Sequence, residues 1–228
     1  MSPARVATSA DVDPTAELGE DAVVWHLAQV REGANVGERC VIGRGAYIGS
    51  GVHLGAGCKV QNYALVYEPA DLADGVFIGP AAVLTNDQHP RAINPDGSNK
   101  SASDWQPVGV IVERGASIGA RAVCVAPLHI GSWASVGAGA VVIHDVPAHA
   151  LVVGVPARQI GWVGPAGVPL VADRSIAEPH GEAVAEQPMS DLAGRWICPA
   201  SGTAYDSDGQ QLVVVGGVDR ADGASAGG

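Results

Sequence analysis

From Val6 to Leu84 an aliphatic residue returns at every sixth position: Val6, Val12, Leu18, Val24, Val30, Val36, Ile42, Ile48, Leu54, Val60, Val66, Leu72, Ile78 and Leu84. A helix would space its apolar positions three and four apart, and a half-buried strand would alternate every two, so neither describes this stretch. The residue two places before each aliphatic is usually small, as at Ala16, Ala22, Ala28, Ala34, Cys40 and Ala46, and glycine follows at 19, 37, 43, 49, 55 and 79. A short strand followed by a tight corner, repeated in hexads, predicts a parallel β-helix whose aliphatics stack in an interior column. Three hexads close one triangular coil of about 18 residues, and successive coils rise by roughly one strand spacing, about 4.8 Å.

The register breaks after Leu84 and resumes at Val112, continuing through Ile118, Cys124, Ile130, Val136 and Val142. The expected fold is all-β: six to seven triangular coils over residues 1–163, with one protruding loop at 87–109. Loops of that length inside a compact domain are usually functional. Beyond residue 163 the composition shifts, predicting a linker at 164–192, a small module at 193–218 and a disordered tail at 219–228.

The chain has one Phe, so its core has to be built from Val, Ile, Leu and Ala. A formal net charge of -11 argues against nucleic-acid binding, which needs clustered Lys and Arg. Residues 1–20 contain no apolar signal core, and no long apolar stretch is free of glycine and charge. Neither export signal nor membrane span is predicted, and a cytoplasmic location is expected. Cys40 and Cys58 occupy the small inward position one coil apart, where parallel side chains favour reduced thiols over a disulfide.

Residues one coil apart in sequence lie above one another in space. One corner therefore carries Ser50, Glu68 and Asn86 in a row, beside the row Arg31, Gly49, Tyr67 and Thr85. A second corner carries His26, Arg44, Asn62 and Pro80. The long loop departs just after Asn86, so His89 and Arg91 begin beside the first row.

Several motifs then carry a resemblance over roughly residues 20 to 163. They are Val24-Trp25-His26, Lys59-Val60-Gln61-Asn62, Val66-Tyr67-Glu68, Thr85-Asn86 with Pro90-Arg91, Gly137-Ala138-Gly139-Ala140-Val141-Val142, Asp145-Val146-Pro147 and Val153-Gly154-Val155-Pro156-Ala157-Arg158. With these the chain resembles the hexapeptide-repeat, left-handed β-helix acyltransferases. Within them it is most similar to the nucleotide-activated amino-sugar N-acetyltransferases, including the UDP-2-acetamido-3-amino-2,3-dideoxyglucuronate type. The resemblance implies left-handed coils, a homotrimer with active sites at subunit interfaces, and acetyl-CoA or another acyl-CoA as cosubstrate in the groove between chains. The Asn62 corner of one chain would then face the Glu68 and Asn86 corner of another. It further implies acyl transfer to an amine of a nucleotide-linked amino sugar, a 3-amino sugar being favoured, with no metal.

On that reading Asn86, Glu68 and His89 are the catalytic candidates. Asn86 would orient the amine, since an amide is no base. Arg91 would hold a phosphate or sugar carboxylate, with Asn62, Tyr67, His26 and Arg31 as further substrate-binding candidates. Ser135, Gly137 and Ala138 would meet the pantetheine arm, and Arg158 a CoA phosphate. Related enzymes can carry a C-terminal zinc ribbon; here the equivalent stretches, 164–167 and 198–202, keep only Cys198, so a metal-free remnant is expected.

The chain departs from the family pattern at Gln29, Tyr63, Pro69 and His89, which leaves the sugar, the nucleotide and the acyl chain open. Three other readings stand beside the amino-sugar enzyme: an acyltransferase for a non-sugar amine or hydroxyl, a non-catalytic solenoid scaffold, and a γ-carbonic anhydrase-like metalloenzyme. The last needs three converging histidines, and the spacing of His26, His53, His89, His129, His144 and His149 supplies no such ladder.

Overall fold

The computed structural model describes residues 2–173 and 192–216, and its core is the triangular parallel β-helix that the hexads predict. Most strands are two residues long, because each hexad supplies only a strand pair and a corner. Val23–Val24, Gln29–Val30 and Asn35–Val36 form the three sides of one coil. Successive coils pair in parallel, Val24 with Ile42 on the first side, Val30 with Ile48 on the second and Val36 with Leu54 on the third. The three sheets hold nine, seven and six strands, and the solenoid makes about 8 turns. It extends past the six to seven coils expected because Ala150–Gly154 adds a strand to the first sheet, pairing Val136 with Val152. Ala157–Trp162 then folds back antiparallel on that strand.

The hydrophobic effect acts here along a narrow axis. Val30, Ile42, Ile48, Leu54, Val60, Val66, Leu72, Ile78 and Leu84 are all fully buried, each covered by the aliphatic one coil away. Between coils the backbone is satisfied by bonds such as Val23 N–H to the Cys40 carbonyl at 2.8 Å and Trp25 N–H to the Ile42 carbonyl at 2.9 Å. Corners close by tight turns, Ala28 N–H donating to the Trp25 carbonyl at 3.2 Å. At such corners the backbones of adjacent coils approach so closely that a Cβ on Gly43 would lie 2.6 Å from the Asn62 nitrogen. Cys40, Cys58 and Cys124 are buried free thiols, as the ladder position implied for the first two.

Leu84 pairs directly with Cys124, so the intervening loop leaves and rejoins the solenoid without disturbing the rung. Val108 N–H donates to the Asn86 carbonyl at 3.1 Å and closes the base of the loop. At the far end Val171–Ala172, Ala193–Ile197, Ala204–Asp208 and Leu212–Gly216 form a four-stranded antiparallel sheet. Val171–Ala172 falls inside the stretch expected as linker, yet pairs with Trp196 and Ile197. The sheet is tied to the solenoid by Trp162, fully buried, whose indole N–H donates to the Leu192 carbonyl at 3.1 Å. The two stretches equivalent to zinc knuckles are both turns, Gly167 N–H to the Gly164 carbonyl at 2.9 Å and Gly202 N–H to the Cys198 carbonyl at 2.8 Å. Tyr205 is buried, and a Cβ on Gly164 would lie 3.1 Å from its hydroxyl oxygen. The rest of the expected linker and the tail at 219–228 lie outside the described residues. Among the described residues no helix is long and apolar enough to cross a membrane.

Candidate active site

The corner after the second sheet carries the row Glu32, Ser50, Glu68 and Asn86, as the stacking predicts. Ser50 Oγ donates to Glu32 Oε2 at 2.9 Å. Glu68 is half-buried, and its Oε2 is enclosed with no hydrogen-bond partner among the described residues. That oxygen lies over the Gly49 backbone, where a Cβ would come within 2.2 Å of it. Tyr67 packs on Tyr47 with ring centroids 5.1 Å apart, and burial together with the Glu68 carboxylate pushes the Tyr47 phenol up from its usual value. One coil above, Thr85 Oγ1 accepts from Ala126 N–H at 3.0 Å, which fixes the backbone on one side of Asn86.

The loop candidates are placed differently. His89 lines a cavity of about 410 Å³ enclosed by the loop itself, with Asp87, Lys100, Asp104 and Trp105 among its walls, and neither Glu68 nor Asn86 borders it. Arg91 is exposed, one terminal nitrogen donating to the Pro90 carbonyl at 2.8 Å. Arg31 is occupied by carboxylates, Glu32 at 2.5 Å and Asp11 at 3.7 Å.

His26, Arg44 and Asn62 stand together at the corner after the first sheet and, with Trp25, line a cavity of about 270 Å³. His26 Nδ1 is 2.8 Å from Ser9 Oγ, Asn62 Oδ1 accepts from Arg44 N–H at 2.9 Å, and Arg44 Nε donates to the Tyr63 hydroxyl at 3.2 Å. Between this corner and the Glu68 corner runs a groove of about 610 Å³ lined by Leu27, Gln29, Tyr47, Tyr63 and Tyr67. Within one chain, then, the two corners are joined by an aromatic face but do not meet. Trp25 and Arg44 were not among the residues assigned roles from sequence. Both were visible, the first in the Trp-His motif and the second in the corner row.

Farther up the first corner, Gly119, Ala120, Gly137 and Ala138 present no side chain longer than a methyl, which leaves room for a thin ligand against the backbone. Ser135 there is half-buried and Ala138 exposed. Arg158 is exposed, with one terminal nitrogen on the Ala157 carbonyl at 2.8 Å. Another cavity, of about 650 Å³, lies between Glu113, His129, Pro147 and the Gly209–Leu212 tip of the C-terminal sheet. There Glu113 bridges His129 Nε2 at 3.0 Å and the Ser132 hydroxyl at 2.6 Å, a partly exposed network in which both carboxylate oxygens have partners, unlike Glu68. Among the described residues no group of three His, Cys, Asp or Glu side chains gathers as a metal site would require.

The family model described as "Hexapeptide repeat of succinyl-transferase" matches residues 33–63 and 109–143, two blocks that flank the long loop and coincide with the stacked coils. Within those two blocks the chain is similar to that family. This hexapeptide-repeat chain is 37% identical over 92 residues to the serine acetyltransferase of Escherichia coli (strain K12), covering 40% of the chain and 33% of that protein. It is 57% identical over 53 residues to the dTDP-3-amino-3,6-dideoxy-alpha-D-galactopyranose 3-N-acetyltransferase of Aneurinibacillus thermoaerophilus, covering 23% of the chain and 28% of that protein. The hexapeptide-repeat chain thus spans about a third or less of these relatives' length. Among solved structures, the acetyltransferase domain of PglB from Neisseria gonorrhoeae FA1090 in complex with acetyl coenzyme A aligns at a TM-score of 0.45 and 24% identity, covering 69% of this chain and 57% of that one.

Proposed function

We propose that this chain transfers an acyl group, acetyl being the simplest, from acyl-CoA to the amine of a nucleotide-linked amino sugar, with a 3-amino sugar favoured. The observation that carries the reading is the Glu68 carboxylate, half-buried beside Asn86 at the root of the loop, with one enclosed oxygen lacking a donor. A buried acceptor without a partner costs free energy unless something supplies the donor, and an amine N–H is such a donor. The short, strong match to an enzyme named for acetylating a dTDP-linked 3-amino sugar supports the same substrate class.

In the reaction the neutral amine nitrogen attacks the thioester carbonyl. The C–N bond forms, the C–S bond breaks, and the departing sulfur takes the proton, so no strong side-chain base is required. Glu68 and Asn86 would hold the amine with its lone pair toward the carbonyl, alignment being worth roughly 7–11 kcal/mol of barrier. A backbone N–H of a glycine-rich corner would stabilise the oxyanion by about 3 kcal/mol. His89, exposed at the loop cavity that Glu68 and Asn86 do not border, would act on the loop's shape rather than on the proton, and Arg91 remains available to an anionic group of the substrate. The corner at Ser135, Gly137 and Ala138 suits the pantetheine arm, with Arg158 on a phosphate.

The exposed Leu27 and Tyr63, 51% and 54% accessible, belong to a face that a second copy would cover. A homotrimer would use that face and bring the Glu68 corner of one chain to the Asn62 corner of the next. A cytoplasmic enzyme, where acyl-CoA is made and used, is the corresponding location.

The test is thiol release from acetyl-CoA with a panel of UDP- and dTDP-linked 3-amino and 4-amino sugars, run beside Asn86→Ala. Turnover with one sugar, reduced roughly 100-fold in the variant, is expected. CoA binding without turnover on any sugar would reject the sugar acceptor in favour of another amine or a hydroxyl, and absence of CoA binding would reject the transferase.

A further inference from the structure

We infer that the cavity at the first corner is the seat of the acceptor's nucleoside diphosphate, with Trp25 as the platform for the base and Arg44 and His26 on the diphosphate. This rests on the proposed acyl transfer to a nucleotide-linked sugar and names which part of the molecule recognises the nucleotide.

The first observation is that Trp25 serves no packing need. Its place in the coil, the residue whose N–H reaches the next coil's first-sheet carbonyl, is taken in the following coils by Gly43, Gln61, Gly79, Gly119 and Gly137. The corner therefore folds without a large side chain, yet here it carries an indole that is 43% exposed. Arg5 covers one face of that ring, its guanidinium carbon 5.3 Å from the centroid, which leaves the opposite face for a second flat group.

The second observation is electrostatic. The chain carries a net charge of -11 and only 13 Lys and Arg residues, of which Arg31, Arg39 and Arg195 are ion-paired. Arg5 and Arg44 are among the basic residues without an ion pair in the described structure, and these two guanidinium groups meet at the same corner, one on Trp25 and one beside it. Arg44 is held at Nε by the Tyr63 hydroxyl, so its two terminal nitrogens keep the paired geometry that suits phosphate oxygens. His26 is anchored at Nδ1 by Ser9, which leaves Nε2 for the ligand. An exposed aromatic platform flanked by uncompensated guanidinium groups is the recognition chemistry of a flat base joined to phosphate.

CoA also contains a nucleotide, so the experiment separates the two sources. Binding of UDP, dTDP, GDP, adenosine 3′,5′-diphosphate and CoA is measured by calorimetry on the full chain, on Trp25→Ala and on Arg44→Gln, with thermal melting as a check that these surface variants fold. The expected result is that UDP or dTDP binds the wild type, that each variant weakens it roughly 10- to 100-fold, and that CoA binds all three proteins alike. Nucleoside diphosphate binding unchanged in both variants would overturn the inference. So would loss of CoA or adenosine 3′,5′-diphosphate binding in the variants, which would give the pocket to the cosubstrate. If CoA binds the wild type but no nucleoside diphosphate does, this inference fails while acyl transfer stands. If UDP or dTDP binds through Trp25 but CoA does not, the nucleotide seat stands and the acyltransferase reading fails.

Discussion

Alanine at position 49 tests whether the Glu68 carboxylate has to stand where it does. The added Cβ would lie 2.2 Å from Glu68 Oε2 and 2.7 Å from the Glu68 backbone nitrogen, against 3.4 Å for ordinary contact. The carboxylate can swing aside, but the backbone nitrogen belongs to the coil stack and yields only if two coils separate. Overpacking of this kind costs about 1–3 kcal/mol, and a shift of about 1 Å in a positioning group costs on the order of 100-fold in rate. Gly55→Ala is the matched control, since its Cβ would meet the Asp74 nitrogen and Oδ1 at 2.6 Å each, at a corner with no assigned chemistry. Thermal melting and acetyl-CoA-dependent thiol release on both variants should show similar losses of stability, with turnover lost only in Gly49→Ala. Equal turnover in the two variants, measured below their melting temperatures, would refute the argument that Glu68 positions the substrate.

Ile42→Ala removes a fully buried side chain from the interior column and should cost about 2–5 kcal/mol in urea unfolding; a loss under about 0.5 kcal/mol would mean the column collapses onto the gap. Burial pushes the Cys124 thiol up to about 12, and Cys58 is raised by a side-chain hydrogen bond with the Cys40 thiol and by burial, so iodoacetamide at pH 8 should spare both in the native protein and alkylate both in guanidinium, as peptide mass spectrometry would read. The Ser132 hydroxyl is the main group holding the Glu113 carboxyl below its ordinary value, with His129 contributing. A depressed carboxyl stabilises the fold above its unfolded-state pKa and loses that contribution as pH falls through the lower folded value. The melting-temperature gap between wild type and Ser132→Ala should therefore be full at neutral pH and shrink below the carboxylate range, and a gap constant down to strong acid would contradict the linkage.

The solenoid was legible because its physics is one-dimensional. A six-residue period with small residues and glycine at fixed offsets leaves few ways to bury Val24, Ile42 and Val60, and the pairing of Val24 with Ile42 and Ile42 with Val60 follows from arithmetic. The same arithmetic put Glu68 over Ser50 and Arg44 over His26, but column position says nothing of where a long side chain goes. Arg31 turned to its chain neighbour Glu32, a rotamer choice the register does not encode, and His89 lines the loop's own cavity, whose walls lie outside the repeat. Tyr63 was visible only as a departure from the family pattern, although its backbone takes a φ of 58° and its ring lies against Gly45, where a Cβ would be 2.5 Å away. Glycine beneath the ring makes room for it. The strand at Val171–Ala172 escaped notice because two residues in a Pro- and Gly-rich stretch carry no periodic signal.

The loop at 87–109 enters and leaves at one corner, with Leu84 still seated on Cys124 and the loop base pinned at Asn86. A segment attached in this way can be lengthened, shortened or exchanged without renumbering a single rung, and doubling its length would cost only about 0.6 kcal/mol in closure entropy. Sequence change can therefore act on the two parts separately: the insertion can vary while the prism stays as its frame, so the surface at this corner can be remade without risking the fold that presents it.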